Sequence, residues 1–210
     1  MTATLHYLYD PLCGWCYGAA PALRVLAGTA GLPPLTLHPT GLFAGRGARP
    51  MDAGFAAYAW QNDQRIARLT GQIFSDAYRD GPLKRFDRPF DSTPATRALT
   101  AVHQAAPARE AEALAAIQRA RFVDGQDVTD AVLLADLLAA IGLGAAAGFA
   151  DDASLDARLS HRLAEAQALM AEVGAGGVPT LVLRTADGAA RALPGDGLFR
   201  DTAALVAGLR

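Results

Sequence analysis

Both cysteines of the chain stand together in "DPLCGWCYGA", Asp10 to Ala19, where only Gly14 and Trp15 separate Cys13 from Cys16. Two thiols at this spacing can clip a metal, hold a haem, staple a loop, or make and break a disulfide. A structural metal site needs about four ligands, and the pair supplies only half of them. The four histidines, His6, His38, His103 and His161, include no two that lie three to five positions apart, so no metal site is expected. His6 and His38 alone, on strands expected to be neighbours, would offer further ligands. Covalent haem attachment requires a histidine directly after the second cysteine, and Tyr17 stands there. A disulfide closing so short a loop removes little chain entropy, because the stabilisation grows with the logarithm of loop length.

Redox exchange uses the local sequence better. The pair follows a strand-like run and opens a helix-like one, and unpaired amides at a helix N-terminus favour a thiolate over a thiol. Cys13 is expected to be the exposed attacker. Cys16, one helical turn later, would lie beneath it, close enough to resolve a mixed disulfide. Far along the chain, "GGVPTLVL", Gly177 to Leu183, sets Val178 and Pro179 immediately before a strand. This is either an ordinary turn or a cis Val178–Pro179 bond, which is seldom used without a geometric need. In the second reading the Val178 backbone faces outward and pairs with an extended substrate segment.

The elements that must position these residues are readable from periodicity. "LHYLY", Leu5 to Tyr9, reads as a strand, "YGAAPALRVLAG" as a helix split or kinked at Pro21, and "LTLHPT" as a second strand. Together they make a βαβ unit. From about Pro50 to Val173 the chain turns to alanine-rich, charge-studded helices. Leu155, Leu159, Leu163, Ala166 and Met170 mark one buried face there, with Ser154 as cap and Gly174 as terminator. Thr129 is the expected cap of the preceding helix, which ends at Gly142. "TLVLR" and "AARAL" around the Ala186–Gly188 turn read as a hairpin, and "LFRDTAALVAGLR" as a closing helix. The expected fold class is therefore α/β, a core split by a large all-helical insertion.

The 210 residues are 51% apolar, and the formal net charge of -2 comes from interleaved Arg, Asp and Glu. Nucleic acid is not an expected partner. The N-terminus shows no secretory pattern and no window suits a membrane span, so a cytoplasmic protein without a membrane partner is expected.

"CGWC" behind "YLYDPL", a helical block, then "GVPT" before a terminal hairpin and helix together resemble the DsbA family of thiol-disulfide oxidoreductases in the thioredoxin-fold superfamily. "ARFVDGQDVTD", Ala120 to Asp130, is similar to a segment of its cytoplasmic, FrnE-like branch and of the related 2-hydroxychromene-2-carboxylate isomerases and kappa-class glutathione transferases. The resemblance implies a thioredoxin-like domain from 1–48 and 174–210, interrupted by a helical domain at 49–173. It implies Cys13 as nucleophile, Cys16 as resolving thiol and Pro179 as the cis-proline beside them. The implied activity is disulfide exchange of the protein disulfide oxidoreductase or isomerase type. Its partners would be protein or small-molecule thiols and disulfides, with no cofactor beyond the reversible Cys13–Cys16 disulfide and glutathione as a co-substrate.

Two features depart from the relatives. The secreted enzymes usually carry Pro-His between the cysteines, and Gly14-Trp15 supplies no imidazole, so a less oxidising pair is expected. The isomerases generally have serine where Cys13 stands and lack the second thiol. A glutathione-dependent isomerase or transferase of the kappa class is the alternative function, and a chaperone-like binding protein without catalysis is the third. Trp15 is a candidate substrate contact or a packing residue against the insertion. Asp10 is expected to cap the first turn rather than to act as a base. Arg46 and Arg49, in "GRGARP", are expected on a solvated loop, and "RFDRPF" carries no assigned role.

Overall fold

In the computed structural model, which describes residues 2–210, Leu5 to Tyr9 lie inside β1 (Thr4–Tyr9), the centre of a four-stranded sheet. The chain continues through α1 (Gly14–Gly18), α2 (Ala20–Gly28) and β2 (Leu35–Pro39). Then come α3 (Ala53–Thr70), α4 (Asp76–Asp80), α5 (Thr93–Ala105), α6 (Glu110–Phe122), α7 (Ala131–Ala140) and α8 (Ser154–Glu172). The strands resume with β3 (Thr180–Arg184) and β4 (Ala190–Ala192), before α9 (Asp196–Phe199) and α10 (Thr202–Ala207). The sheet order is β2-β1-β3-β4. β2 runs parallel to β1, with Tyr7 opposite Leu37, and β3 runs antiparallel to it, with Leu8 opposite Thr180. β4 pairs back on β3 as a hairpin. This is the expected α/β, thioredoxin-like arrangement.

Alternation along β1 divides its side chains between two faces. Leu5, Tyr7 and Tyr9 enter the main core with Leu23 and Leu26 of α2. Leu8 packs on the other face with Val182 and with Ala166 and Leu169 of α8. Both faces are covered, which is why the strand is mostly apolar on both, with His6 as the exception. Pro21 falls in the first turn of α2, where its missing N–H costs nothing, and the break at Ala19 separates α1 from α2.

The stretch 49–173 contributes α3 to α8 and no strand. It is tied to the cysteine segment by an aromatic cluster in which Tyr17 stacks on Phe122 at 4.8 Å and meets Phe74 edge-on at 5.2 Å. A buried polar group ties it to the sheet. Glu110 accepts from Tyr9 Oη at 3.1 Å and from Arg162 Nη2 at 2.5 Å, and its other oxygen meets His103 Nδ1 at 2.7 Å. Arg162 also donates to the Leu37 carbonyl at 3.0 Å. One carboxylate thereby joins β1, β2, α5, α6 and α8.

Several helix ends differ from the sequence reading. The α7 cap is Asp130, whose carboxylate accepts from the amides of Val132 and Leu133, while Thr129 turns its hydroxyl to Asp127. Ser154 opens α8 without capping it; the carboxylate that accepts its amide is Asp152. The buried face of α8 runs through Leu155, Leu159, Arg162, Ala166 and Leu169, while Leu163 and Met170 of the expected stripe are only half-buried. The closing helix is two short helices, interrupted at Arg200–Asp201, with Asp201 capping α10 through the Ala204 amide. Among the described residues no helix is long and apolar enough to cross a membrane.

Candidate active site

β1 ends at Tyr9, and the chain turns through Asp10, Pro11 and Leu12 into α1, placing Cys13 as N-cap residue in extended conformation. The turn is held by Asp10, which is fully buried. Its carboxylate accepts from the Leu12 amide at 2.9 Å, the Phe43 amide at 3.0 Å and Ser92 Oγ at 2.8 Å. Burial pushes this carboxyl up, against the pull of the three donors. Asp10 therefore braces the turn against the loop after β2 and against the start of α5. It is not the helix cap that the sequence suggested.

Cys13 and Cys16 are both free thiols. Cys13 is 8% exposed and Cys16 1%, so the attacker expected to be exposed is nearly as covered as its partner, though it is the more accessible of the two. The Cys16 sulfur accepts from the Asp10 amide at 3.5 Å. Burial, and after it the hydrogen bond to Cys13, push the Cys16 thiol well above its ordinary value. Cys16 is thus held as a protonated thiol.

The Val178–Pro179 peptide is cis. Pairing of Leu8 with Thr180 sets the end of β1 beside the start of β3, so the cysteine turn and the Val178–Pro179 segment meet at one end of the sheet. The Cys13 sulfur lies 3.9 Å from the Val178 carbonyl oxygen. Trp15 is half-buried, edge-on to Phe199 at 5.3 Å, with the Arg65 guanidinium 5.8 Å from its ring. It packs between α9 and α3. Arg46 is exposed, and Arg49 lies over the Phe55 ring at 4.0 Å. His38 pairs with His6 at 2.9 Å, on the α8 face of the sheet. Phe90, in the segment without an assigned role, packs edge-on against Phe43 and Phe55.

Sequence reasoning missed one residue altogether. Asp63 of α3 is 4% exposed and brings its carboxylate against Gly14, between the two cysteines. A Cβ on Gly14 would stand 2.1 Å from Asp63 Oδ1. The other oxygen accepts from Tyr78 Oη at 2.9 Å, and Arg121 of α6 acts on the carboxylate from a distance. Burial pushes this carboxyl up to about 7. A signal did exist: Asp63 sits three positions before Ile66, which is fully buried, and so shares the inward face of α3.

The chain matches the family model for the DSBA-like thioredoxin domain over residues 4–199. No curated protein sequence matches it. Among solved structures, it is similar to the cytosolic disulfide reductase DsbM from Pseudomonas aeruginosa, with 39% identity over 99% of this chain and 98% of that one and a TM-score of 0.85. The same reductase with GSH aligns at 38% identity over 99% of each chain, with a TM-score of 0.84. A putative protein disulfide isomerase from Nitrosomonas europaea shares the fold, at 22% identity over 99% of each chain and a TM-score of 0.77. This chain belongs to the family of DSBA-like thioredoxin-domain proteins.

Proposed function

We propose that the chain is a thiol-disulfide oxidoreductase that works through Cys13 and Cys16, in the reducing direction, in the cytoplasm, with glutathione as its electron donor. The observation that carries this reading is the asymmetry of the pair, with Cys13 at a helix N-terminus beside the Val178 carbonyl and Cys16 buried beneath it with its proton retained.

The Cys13 thiolate attacks a substrate disulfide, forming a mixed disulfide and expelling one substrate thiolate, which takes a proton from solvent. Cys16 then loses its proton and attacks the Cys13 sulfur. The second substrate thiolate leaves, and the Cys13–Cys16 disulfide remains. Two glutathione molecules return the pair to thiols and leave as glutathione disulfide, so electrons balance over the cycle. Val178 would hold an extended substrate segment through its backbone, Pro179 would keep that backbone in place, and Trp15 would offer an aromatic edge. The direction is supported by the absence of an imidazole between the cysteines and by the activity named for the Pseudomonas aeruginosa reductase. The choice of glutathione is supported by that reductase having been solved with it.

The kappa-class alternative is disfavoured by the second thiol. The test is reduction of small and protein disulfides in a glutathione-coupled assay. Wild-type turnover that vanishes in Cys13→Ser supports the proposal. Turnover of an aromatic substrate that needs glutathione and survives loss of Cys16 would replace it with the isomerase or transferase reading. Aggregation protection by a variant lacking both thiols, without turnover in the wild type, would favour a binding protein.

A further inference from the structure

The cysteine turn contains a buried carboxyl that the exchange chemistry leaves unused. We infer that Asp63 is a proton-holding positioning residue for Cys13, remaining a neutral carboxylic acid while Cys13 is a thiolate and ionising when the pair is a disulfide.

The geometry is a close approach that only glycine permits. With a Cβ at position 14 the distance to Oδ1 would be 2.1 Å and to Cγ 3.3 Å, so the side chain of α3 occupies the space that any other residue at Gly14 would fill. The carboxyl is fixed there by Tyr78 Oη on Oδ2, the one hydrogen-bond donor that reaches it. Asp10 differs, since three donors hold its carboxylate. A group with one donor, buried to 4% exposure, gains its proton readily, in keeping with a carboxyl pushed up to about 7.

Ionised, Asp63 would put negative charge against Gly14, the residue next to the Cys13 nucleophile. Two like charges at one helix end in a poorly hydrated site disfavour each other, and the coupling is reciprocal. Reduction of the pair by two thiols then balances internally. The disulfide, two RSH and the Asp63 carboxylate give Cys13 thiolate, Cys16 thiol, RSSR and protonated Asp63. The proton that would otherwise leave for solvent is kept beside the thiolate.

The groups facing Asp63 are accounted for element by element. α4 contributes Tyr78 and α6 contributes Arg121, while the cysteine turn meets the carboxyl at Gly14. On α3 itself Arg65 is turned to Trp15, and Lys84, in the turn after α4, is paired with Asp80. Arg121 is 2% exposed, lies over the rings of Tyr78, Phe90 and Phe122, and acts on both Asp63 and Asp10. It limits the charge that the two acids build up without bonding to either.

The inference rests on the redox reading, and the test separates the two. Asp63 is titrated by carboxyl carbon NMR in protein labelled at aspartate, in the dithiol and disulfide forms, with Asp63→Asn used for assignment. The expected result is a midpoint higher in the dithiol form by roughly 0.5–1 pH unit. In parallel, the alkylation rate of Cys13 against pH should lose an inflection in Asp63→Asn and become roughly threefold to tenfold faster just above neutrality. Tyr78→Phe, which removes the donor to the ionised form, should raise the midpoint in both forms. Equal midpoints in the two forms, with a disulfide demonstrably present, would overturn this inference alone. Failure of the pair to form a disulfide would overturn the redox reading with it.

Discussion

The Cys13 sulfur lies 3.9 Å from the carbonyl oxygen of Val178, a residue 165 positions later in the chain. The contact is a product of topology. β1 runs toward the cysteines and β3 runs away from Pro179, and their antiparallel pairing through Leu8 and Thr180 brings the two segments to one end of the sheet. The site is therefore assembled by the central strands and exists only when they are paired.

Because Cys16 is buried directly beneath Cys13, removing it should stall the exchange halfway. Cys16→Ser, treated with glutathione disulfide, is expected to accumulate a glutathione adduct on Cys13 that the wild type resolves. Mass spectrometry of the intact protein reads this directly. An adduct that clears as fast in Cys16→Ser as in the wild type would show that Cys16 is not the resolving thiol.

Gly14→Ala places a methyl group where the Asp63 carboxylate now stands. The carboxylate is anchored to Tyr78, so either that bond or the backbone of the cysteine turn must give way. A stability loss of about 1–3 kcal/mol in urea unfolding is expected, together with slower exchange at Cys13. Combination with Asp63→Ala, which vacates the space, should recover part of the stability. No recovery in the double variant would contradict the account of the contact.

Glu110 is the acceptor for three side chains at once, and Arg162 loses its ion pair if Glu110 is truncated. Both are nearly inaccessible to water. Glu110→Ala is expected to cost about 3–5 kcal/mol, because it leaves a buried guanidinium uncompensated. Joint replacement of Glu110 and Arg162 by apolar residues of similar volume should cost less. Chemical denaturation of the three proteins provides the comparison, and an equal loss in the single and double variants would contradict it.

Buried Asp63 and half-buried His38 give stability opposite dependences on pH. The Asp63 carboxyl, pushed up from 3.8 to about 7, holds its proton more tightly in the folded chain. Its contribution is present at low pH and is lost as pH rises through that interval. His38 is pushed down from 6.5 to about 4, first by burial and then by His6. Its contribution is present above 6.5 and is lost as pH falls. Each proton contributes a slope of about 1.4 kcal/mol per pH unit, and the two oppose each other where the windows overlap. Relative to the wild type, Asp63→Asn should therefore gain stability with rising pH across this window, and His38→Asn should lose it. Urea midpoints that differ from wild type by a pH-independent amount would contradict both assignments.

What the sequence disclosed depended on whether the information was local. The cysteine spacing, the strand before it, the split of the first helix just before Pro21 and the apolar stripe of α8 are set by residues within a turn or two, and each was readable. The Asp130 cap and the Asp152 acceptor before α8 escaped, because Ser, Thr and Asp in adjacent positions compete for the same amides and periodicity does not choose between them. The approach of Asp63 to Gly14 depends on how α3 docks against α1. Forty-nine positions separate these residues, and no local pattern encodes a docking distance. The bracing of Asp10 by Ser92 and Phe43 has the same origin: the donors come from distant loops that close only in the folded chain.

The central claim, that Cys13 and Cys16 are a reversible redox pair of reducing character, is tested most directly by equilibrating the protein across a glutathione redox series. Thiols are then trapped by alkylation and both cysteines are read by mass spectrometry. The account predicts one two-thiol transition to an intramolecular Cys13–Cys16 disulfide, at a potential near or below the glutathione poise and absent in Cys13→Ser. Thiols that stay reduced in the most oxidising buffer, or that end only as separate glutathione adducts, would contradict it.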